Sequence, residues 1–537
     1  MARPLGRAFS ASSTRFRLFQ APQVECEDKG KGATFRFLCR DRHGEVTKTD
    51  MSASTQEKTG PTDYYAEPSE FRYDATSPES IETWGRRLEG ETFDMVCREG
   101  VAQGYDSDLY RQAKNGDKGK GSLGNLVELY HFGYEPNSSP QPDFPKAGVE
   151  LKTTPFRRRH DGSATAKERL VVTIVDYFAI LGETFETSHF WLKAHLILLV
   201  CYEFQKNVAR LQYVIRHVRL FTPPSDDLPT IRRDWERIRE IIDQGRAHEL
   251  HCSDTVYLEA CPKGANSKSL RKQPHNFVLA MQRAFAFKAS YMTFVLNRDI
   301  MTDGERYERI LPHGEPSSVE EYALRRIDAA RGRFADDLLK EYDIGTTAKN
   351  RFSMLVFRLL GIRNNRAEEF VKAGIEVKTI RLRPDGMPKE DISFPVFKFK
   401  ELMSEEWDRA EIADTFRETR FFFVAFMEGR DGRLRLRGGR FWSMPFDDLE
   451  VKYRRVWEET RNVIASGHPY WIDSKGRRHS SFPRKSESPV GHVRPHGRNA
   501  GDVDELPNGE TYTKQCFWLN RDYLRKQLGA LTARGQL

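Results

Sequence analysis

Three side chains in one short stretch have the types and spacing to hydrolyse a phosphodiester. Asp143 follows Pro142, and Glu150 and Lys152 come after it, two positions apart. Residues 148–153 have strand character, with Val149 and Leu151 alternating with the charges, so Glu150 and Lys152 point to one face. Asp143 precedes them across a turn and can fold back to the same place. Two converging carboxylates offer the hard oxygen ligands that suit Mg²⁺. A cation held there lowers the pKa of a bound water and stabilises charge on a phosphoryl oxygen. Lys152 would orient the attacking water or neutralise the pentavalent phosphate. The same string also arises in highly charged chains as a solvated strand face, and 31% of this chain is charged. Its surroundings must decide.

The elements needed to position these groups are legible. Ser77 suits an N-cap and Pro78 a first helical position, and Ile81, Trp84 and Leu88 recur at helical spacing, so order is expected from about Tyr73. A helix is expected at 123–131, then a turn-rich segment at 133–145 and the strand carrying Glu150. The short apolar runs 170–175 and 196–202 read as buried strands. Trp235, Ile238, Ile241 and Ile242 mark one face of a helix. Residues 256–260 and the aromatic run 284–296 return to strand character. Gly119-Lys-Gly-Ser-Leu-Gly124 fits a dinucleotide fingerprint literally, but no strand precedes it, and a basic loop is the better reading.

The order of elements repeats. Phe144-Pro-Lys-Ala-Gly-Val-Glu-Leu-Lys-Thr153 is echoed by Phe370-Val-Lys-Ala-Gly-Ile-Glu-Val-Lys-Thr379, Trp235-Glu236 by Trp457-Glu458, and Phe294-Val-Leu-Asn-Arg-Asp299 by Phe517-Trp-Leu-Asn-Arg-Asp522. Three matches in one order point to an internal duplication. The expected organisation is a disordered tail at 1–70, a catalytic domain at 71–300, a helical linker at 301–340 and a second related domain at 341–537. The fold class is α/β, each domain a mixed sheet flanked by helices.

Composition narrows the partners. The chain has 537 residues and a formal charge of +8, which suits a phosphate-bearing partner without requiring one. Seven scattered cysteines, none in a Cys-x-x-Cys pair, argue against a disulfide framework or zinc site and suit the cytoplasm. No apolar run is long enough for a membrane span. The absence of a G-x-x-x-x-G-K-S/T loop argues against an ATP-driven nuclease.

Pro142-Asp143 through Pro155, with Glu186-Thr-Ser-His189, Asp234-Trp-Glu236 and Tyr257-Leu-Glu-Ala-Cys-Pro-Lys-Gly-Ala-Asn266, resembles the MutH family. More closely, the chain is similar to the tandem two-domain type II restriction endonucleases of that family that cut at GATC. The resemblance implies a restriction-endonuclease-like fold and Mg²⁺-dependent hydrolysis of double-stranded DNA. It implies that Asp143, Glu150 and Lys152 form the catalytic set and that Asp143 and Glu150 hold the metal. Glu128 would be a further metal-side glutamate, and Lys193 a second active-site lysine. Pro262, Lys263 and Gly264 match a groove-reading loop, and Lys288 falls in an aromatic-basic segment near the adenine methyl group.

In the second copy Glu376 and Lys378 keep the Glu-x-Lys pair, but Glu369 stands for Asp143, Phe357 for Glu128 and Glu418 for Lys193. These departures predict a copy that binds DNA without cutting, holding a second site in a looped complex, with dimerisation on DNA left open. The basic stretch 461–498 would serve that binding. The alternatives are a methyl-directed repair nickase and a non-catalytic DNA-binding regulator.

Overall fold

Ser77 accepts a hydrogen bond from the Ser80 amide, and Pro78 opens helix α1 (Pro78–Gly85), as the capping signal predicts. In this computed structural model the described residues are 72–532, less 116–121, 160–161, 207, 265–268, 302–306, 313–314, 316 and 408–409, and two earlier strands. Those strands, Cys39–Arg40 and Val46–Thr47, pair antiparallel within a separate unit, Met1–Tyr64. The tail expected at 1–70 otherwise lies outside the described residues, as does the first half, 119–121, of the glycine-rich stretch at 119–124.

Helices α2 (Phe93–Ala102) and α3 (Ser122–Val127) follow, and α3 continues into a π-turn, Glu128–Phe132. A four-stranded sheet then forms from β1 (Glu150–Arg158), β2 (Ala164–Ala166), β4 (Ile197–Glu203) and β5 (Val214–Phe221), in the order β2-β1-β4-β5. Strands β1 and β4 are parallel, and Glu150 is opposite Ile197. Every residue from Ile197 to Cys201 is fully buried, as a central strand covered on both faces requires. Between β1 and β4 the chain forms β3 (Leu170–Ile174) and α4 (His189–Ala194). After α5 (Leu228–Asp243) come β6 (Leu258–Pro262), the hairpin β7 (Leu270–Gln273) with β8 (Asn276–Met281), and β9 (Arg283–Phe287). Strand β9 sits between β3 and β6, antiparallel to both.

The aromatic run at 284–296, expected to be strand throughout, is strand only to Phe287; helix α6 (Ala289–Val295) then takes over. Tyr291, Met292, Phe294 and Val295 are all buried and only Ser290 and Thr293 are polar, so most of this short helix is apolar and its residue types read as strand.

Helices α7 (Val319–Asp328), α8 (Ala335–Glu341), α9 (Arg351–Leu360) and α10 (Glu368–Ala373) lead into the second half. Its first sheet joins β10 (Ile375–Leu382), β12 (Arg420–Glu428) and β13 (Leu434–Trp442), with β10 parallel and β13 antiparallel to β12. Between β10 and β12 lie β11 (Ile392–Phe397), α11 (Phe399–Ser404) and α12 (Glu411–Glu418). Helix α13 (Arg454–Ser466) precedes a hairpin of β14 (Tyr470–Ile472) and β15 (Arg478–Ser480), then β16 (Gly491–Pro495). A further hairpin, β17 (Val503–Glu505) with β18 (Thr511–Thr513), leads to β19 (Gln515–Leu519) and α14 (Arg521–Leu528). Strand β19 lies between β11 and β16, antiparallel to both.

Strand order and sense are therefore the same in both halves: β1-β4-β5 matches β10-β12-β13, and β3-β9-β6 matches β11-β19-β16. The two Glu-x-Lys strands occupy equivalent places. The third sequence echo does not: Phe294–Asp299 spans a helix end, whereas Phe517–Asp522 runs from β19 into α14. The stretch expected as a linker at 301–340 is helical at α7 and most of α8, and Ala323, Ile327, Leu338 and Leu339 are buried. Phe334, ahead of α8, bridges to Arg435 of β13, as Thr92, ahead of α2, bridges to Val214 of β5. One apolar cluster runs through both halves, from Phe156 and Tyr291 to Phe370 and Phe422.

Candidate active site

The start of β1 is folded back by a small loop. The Phe144 amide donates to the Val149 carbonyl (2.9 Å) and the Val149 amide to the Phe144 carbonyl (3.2 Å). Gly148 permits the turn with φ +68°, and a Cβ there would lie 3.2 Å from His195 Nε2. This closure sets Asp143 beside the strand, where its Oδ2 accepts from the Leu151 amide at 2.8 Å. Glu150 is 1% exposed. Lys152 donates to Glu150 Oε1, and Lys193, presented by α4, donates to the same oxygen at 3.3 Å. Glu150 Oε2 is buried with no hydrogen bond, the Lys193 ammonium standing 3.3 Å away. Glu128 approaches from the π-turn after α3, a backbone irregularity that recurs at functional sites.

Crowding of acids shows in their proton affinities. Burial first, then the charge of Asp143, pushes Glu128 up to about 7. Burial first, then the charge of Glu150, pushes Asp143 up to about 6, against the pull of Lys152 and Lys193. Among the described residues no three His, Cys, Asp or Glu side chains form a ready-made metal cage. Asp143 and Glu150 are thus a two-carboxylate site, the donor number with which Mg²⁺ keeps several waters. Glu150 Oε2, without a hydrogen bond and with the Lys193 ammonium beside it, is a hard-oxygen donor, so the residues fit such an ion.

The five groups open onto a cleft of about 2480 Å³. Glu128, Asp143, Glu150, Lys152 and Lys193 line it together with Arg157, Arg158 and Arg169 and with Pro262, Lys263 and Gly264. Two sequence-expected groups of residues, far apart in the chain, therefore share one concavity. The opposite wall comes from the second half and is acidic, with Glu401, Glu405, Glu411, Asp414, Glu418 and Glu450 beside Arg417 and Arg454. Lys206 pairs with Glu401 across the cleft, and Arg169 approaches Glu418 at 3.8 Å.

The family model "DNA mismatch repair enzyme MutH" matches residues 132–234, which include Asp143, Glu150, Lys152 and Lys193. Over 453 residues the chain is 33% identical to the type II restriction enzyme Sau3AI of Staphylococcus aureus, a match covering 76% of this chain and 92% of that enzyme. The chain is a MutH-family type II restriction endonuclease. As such it is a site-specific deoxyribonuclease acting on DNA. The endonuclease is also 30% identical over 201 residues to the DNA mismatch repair protein MutH of Shewanella woodyi, covering 37% of this chain and 85% of that protein. For the MutH of Serratia proteamaculans the identity is 30% over 185 residues, with 33% and 78% covered.

Lys288 is the expected DNA contact that the structure moves elsewhere. It is 8% exposed, and its ammonium donates to the carbonyl of Cys252 (2.7 Å) and to that of Thr255. A buried ammonium needs those acceptors, so Lys288 holds the loop before β6 in place and does not face the cleft. Tyr134 is the residue that sequence reasoning missed. Its ring packs on Phe144 and its hydroxyl is buried without a hydrogen-bond partner. Burial first, then the charges of Asp143 and Glu128, holds that phenol well above its ordinary value. Tyr134 belongs to a segment read only as turns, and nothing in its spacing marks it.

In the second half Lys378 pairs with Glu376 at 2.6 Å, but Glu376 is 44% exposed. Glu369 is turned away, accepting from the amides of Ile310 (3.0 Å) and Leu311 (3.2 Å). Free cysteines are Cys97, Cys201, Cys252, Cys261 and Cys516, and no described helix is long and apolar enough to cross a membrane.

Proposed function

We propose that the endonuclease hydrolyses duplex DNA at GATC with Mg²⁺ held by Asp143 and Glu150, and that the second half binds another site without cutting. The observation carrying the first part is the gathering of Asp143, Glu150, Lys152, Lys193 and Glu128 at one lip of a cleft that Pro262, Lys263 and Gly264 also line. When bound, the ion supplies an acidified water and charge compensation at the phosphoryl oxygen. Lys152, next to Glu150, orients the nucleophile and offsets the charge that builds on the phosphate. Lys193, also beside Glu150, offsets the same charge. Glu128, with a pKa raised to about 7, is roughly half ionised at neutral pH, and its carboxylate form accepts a proton close to the reacting water. Pro262, Lys263 and Gly264 read base edges, the lysine donating to guanine acceptors.

The second half supports binding without cutting because its first acidic position is committed elsewhere. Glu369 is spent on two backbone amides, and the half-buried Glu376 pairs with Lys378. This makes the second copy begin near α7, because α7 and α8 stand to β13 as α1 and α2 stand to β5. The test is digestion of unmethylated plasmid with Mg²⁺, with EDTA and with Ca²⁺, followed by sequencing of the ends. Ends confined to GATC and dependent on Mg²⁺ are expected. Cleavage that persists in EDTA, or ends at unrelated sequences, overturns the reading.

A further inference from the structure

Between α13 and β16 the second half carries a hairpin that the first half lacks. Strands β14 and β15 pair Tyr470 with Ser480 and Ile472 with Arg478. The corresponding stretch of the first half, between α5 and β6, holds two short 3-10 turns, Ala247–Glu249 and Cys252–Asp254. The hairpin is rigidly built. The Asp473 carboxylate accepts from the amides of Lys475 (2.9 Å) and Arg477 (2.8 Å), from Arg477 Nε (2.9 Å) and from His479 Nε2 (3.0 Å). Gly476, at φ +76°, closes the turn. His479, fixed by Asp473, lies flat on Trp471 with ring centroids 4.4 Å apart and planes at 19°. Trp471 is nevertheless 50% exposed and Ile472 63% exposed. A large aromatic surface is thus held in one orientation and left uncovered, flanked by the exposed cations Lys475, Arg477 and Arg478 and a single acid, Asp473.

The position of the hairpin identifies its occupant. Tyr470 stacks on Tyr512 of the β17–β18 hairpin, with planes at 7°, and the Arg478 guanidinium covers both rings at 3.6 and 5.0 Å. That second hairpin emerges from the loop after β16, the topological counterpart of the Pro262–Lys263–Gly264 loop after β6. The β14–β15 hairpin therefore stands next to the place where the second copy would read bases. Aromatic surface interleaved with cations is the pattern that meets a nucleic acid, with rings on sugars and base edges and cations on phosphates.

We infer that the β14–β15 hairpin clamps the second DNA duplex, with Trp471 and Ile472 against sugar and base edges and Lys475, Arg477 and Arg478 on the flanking phosphates. This rests on the reading that the second half holds DNA. The preset Trp471–His479 stack lowers the ordering cost of that contact.

The full chain carrying Lys152→Ala, slowed in cutting and kept free of Mg²⁺, is titrated with a GATC duplex to obtain stoichiometry and both affinities. Two duplexes per chain are expected. Adding Trp471→Ala should weaken the second duplex roughly ten-fold and leave the first unchanged, while Trp471→Phe retains most of the affinity. Lys475→Ala with Arg477→Ala should lower the salt slope of the second duplex by about two. A stoichiometry of one fails the second-site reading and takes the clamp with it. Two duplexes with an unchanged second affinity in Trp471→Ala overturn the clamp alone. So does a Trp471→Ala chain whose sedimentation shifts while its DNA binding stays constant, because the surface is then a protein interface.

Discussion

Glu128 and Asp143 sit with folded pKa values of about 7 and about 6, above the ordinary carboxylate range, because burial first, and then the charge of Asp143 on Glu128 and of Glu150 on Asp143, disfavour their ionised forms. A carboxyl raised in this way binds more protons folded than unfolded, so it stabilises least where it is forced to ionise. Its contribution to stability is lost as pH rises from its unfolded value near 4.5 through about 7. The metal-free endonuclease should therefore melt at a falling temperature over that window, and Glu128→Gln should flatten the fall. Mg²⁺ added at pH 7.5 should raise the melting temperature again by binding the native state. A Glu128→Gln chain with the wild-type slope would show that this carboxyl is not the buried group described. At Lys152 the expectation concerns rate: Lys152→Ala should lower cleavage by roughly 10²- to 10³-fold, as loss of one charge-stabilising donor does, with DNA affinity nearly intact. Single-turnover cleavage alongside a gel-shift titration separates the two.

Among the elements, β1 and β10 carry the same Glu-x-Lys pattern with different consequences. Glu376→Ala should leave cleavage within about two-fold of wild type, since the Glu376 side chain is half-exposed and pairs with Lys378. Glu369→Ala should instead cost about 1–3 kcal/mol in urea unfolding, because the Ile310 and Leu311 amides lose their buried acceptor. Cleavage lost in Glu376→Ala with DNA binding retained would make the second copy catalytic. Sequence showed β1, β4 and α5 well, because alternation, an unbroken apolar run and a 3.6-residue stripe are local signals. It also showed the acid–lysine set, since Glu150 and Lys152 need only one strand to share a face. The helix α6 was hidden because it is short and mostly apolar, with only Ser290 and Thr293 polar. The fate of Lys288 was hidden too, because its acceptors belong to a loop more than thirty residues earlier in the chain. The third echo misled because a six-residue match does not fix whether the residues close a helix or open one.

Across the whole molecule, the residues proposed to cut share a cleft with acids of α11 and α12. A polyanion entering there meets Glu411 and Asp414 as well as Arg157 and Arg158, so the far wall opposes entry. Glu411→Gln with Asp414→Asn should tighten duplex binding about two- to five-fold at low ionic strength, and the gain should vanish near 0.5 M salt, where the Debye length is short. Binding unchanged at low salt would mean that DNA approaches along another face.

Lys372 is 2% exposed and sits between Asp227 of the first half (2.6 Å) and Glu368 of the second (2.6 Å), with the Tyr291 hydroxyl on the other Asp227 oxygen. Removing one partner of such a pair strands the other charge without solvent. A truncated gene ending near codon 315 would keep every residue assigned to cutting, yet its product should be insoluble when expressed alone and recoverable only when the missing piece is co-expressed. On the proposed reading the second copy is free to lose its chemistry but not its place.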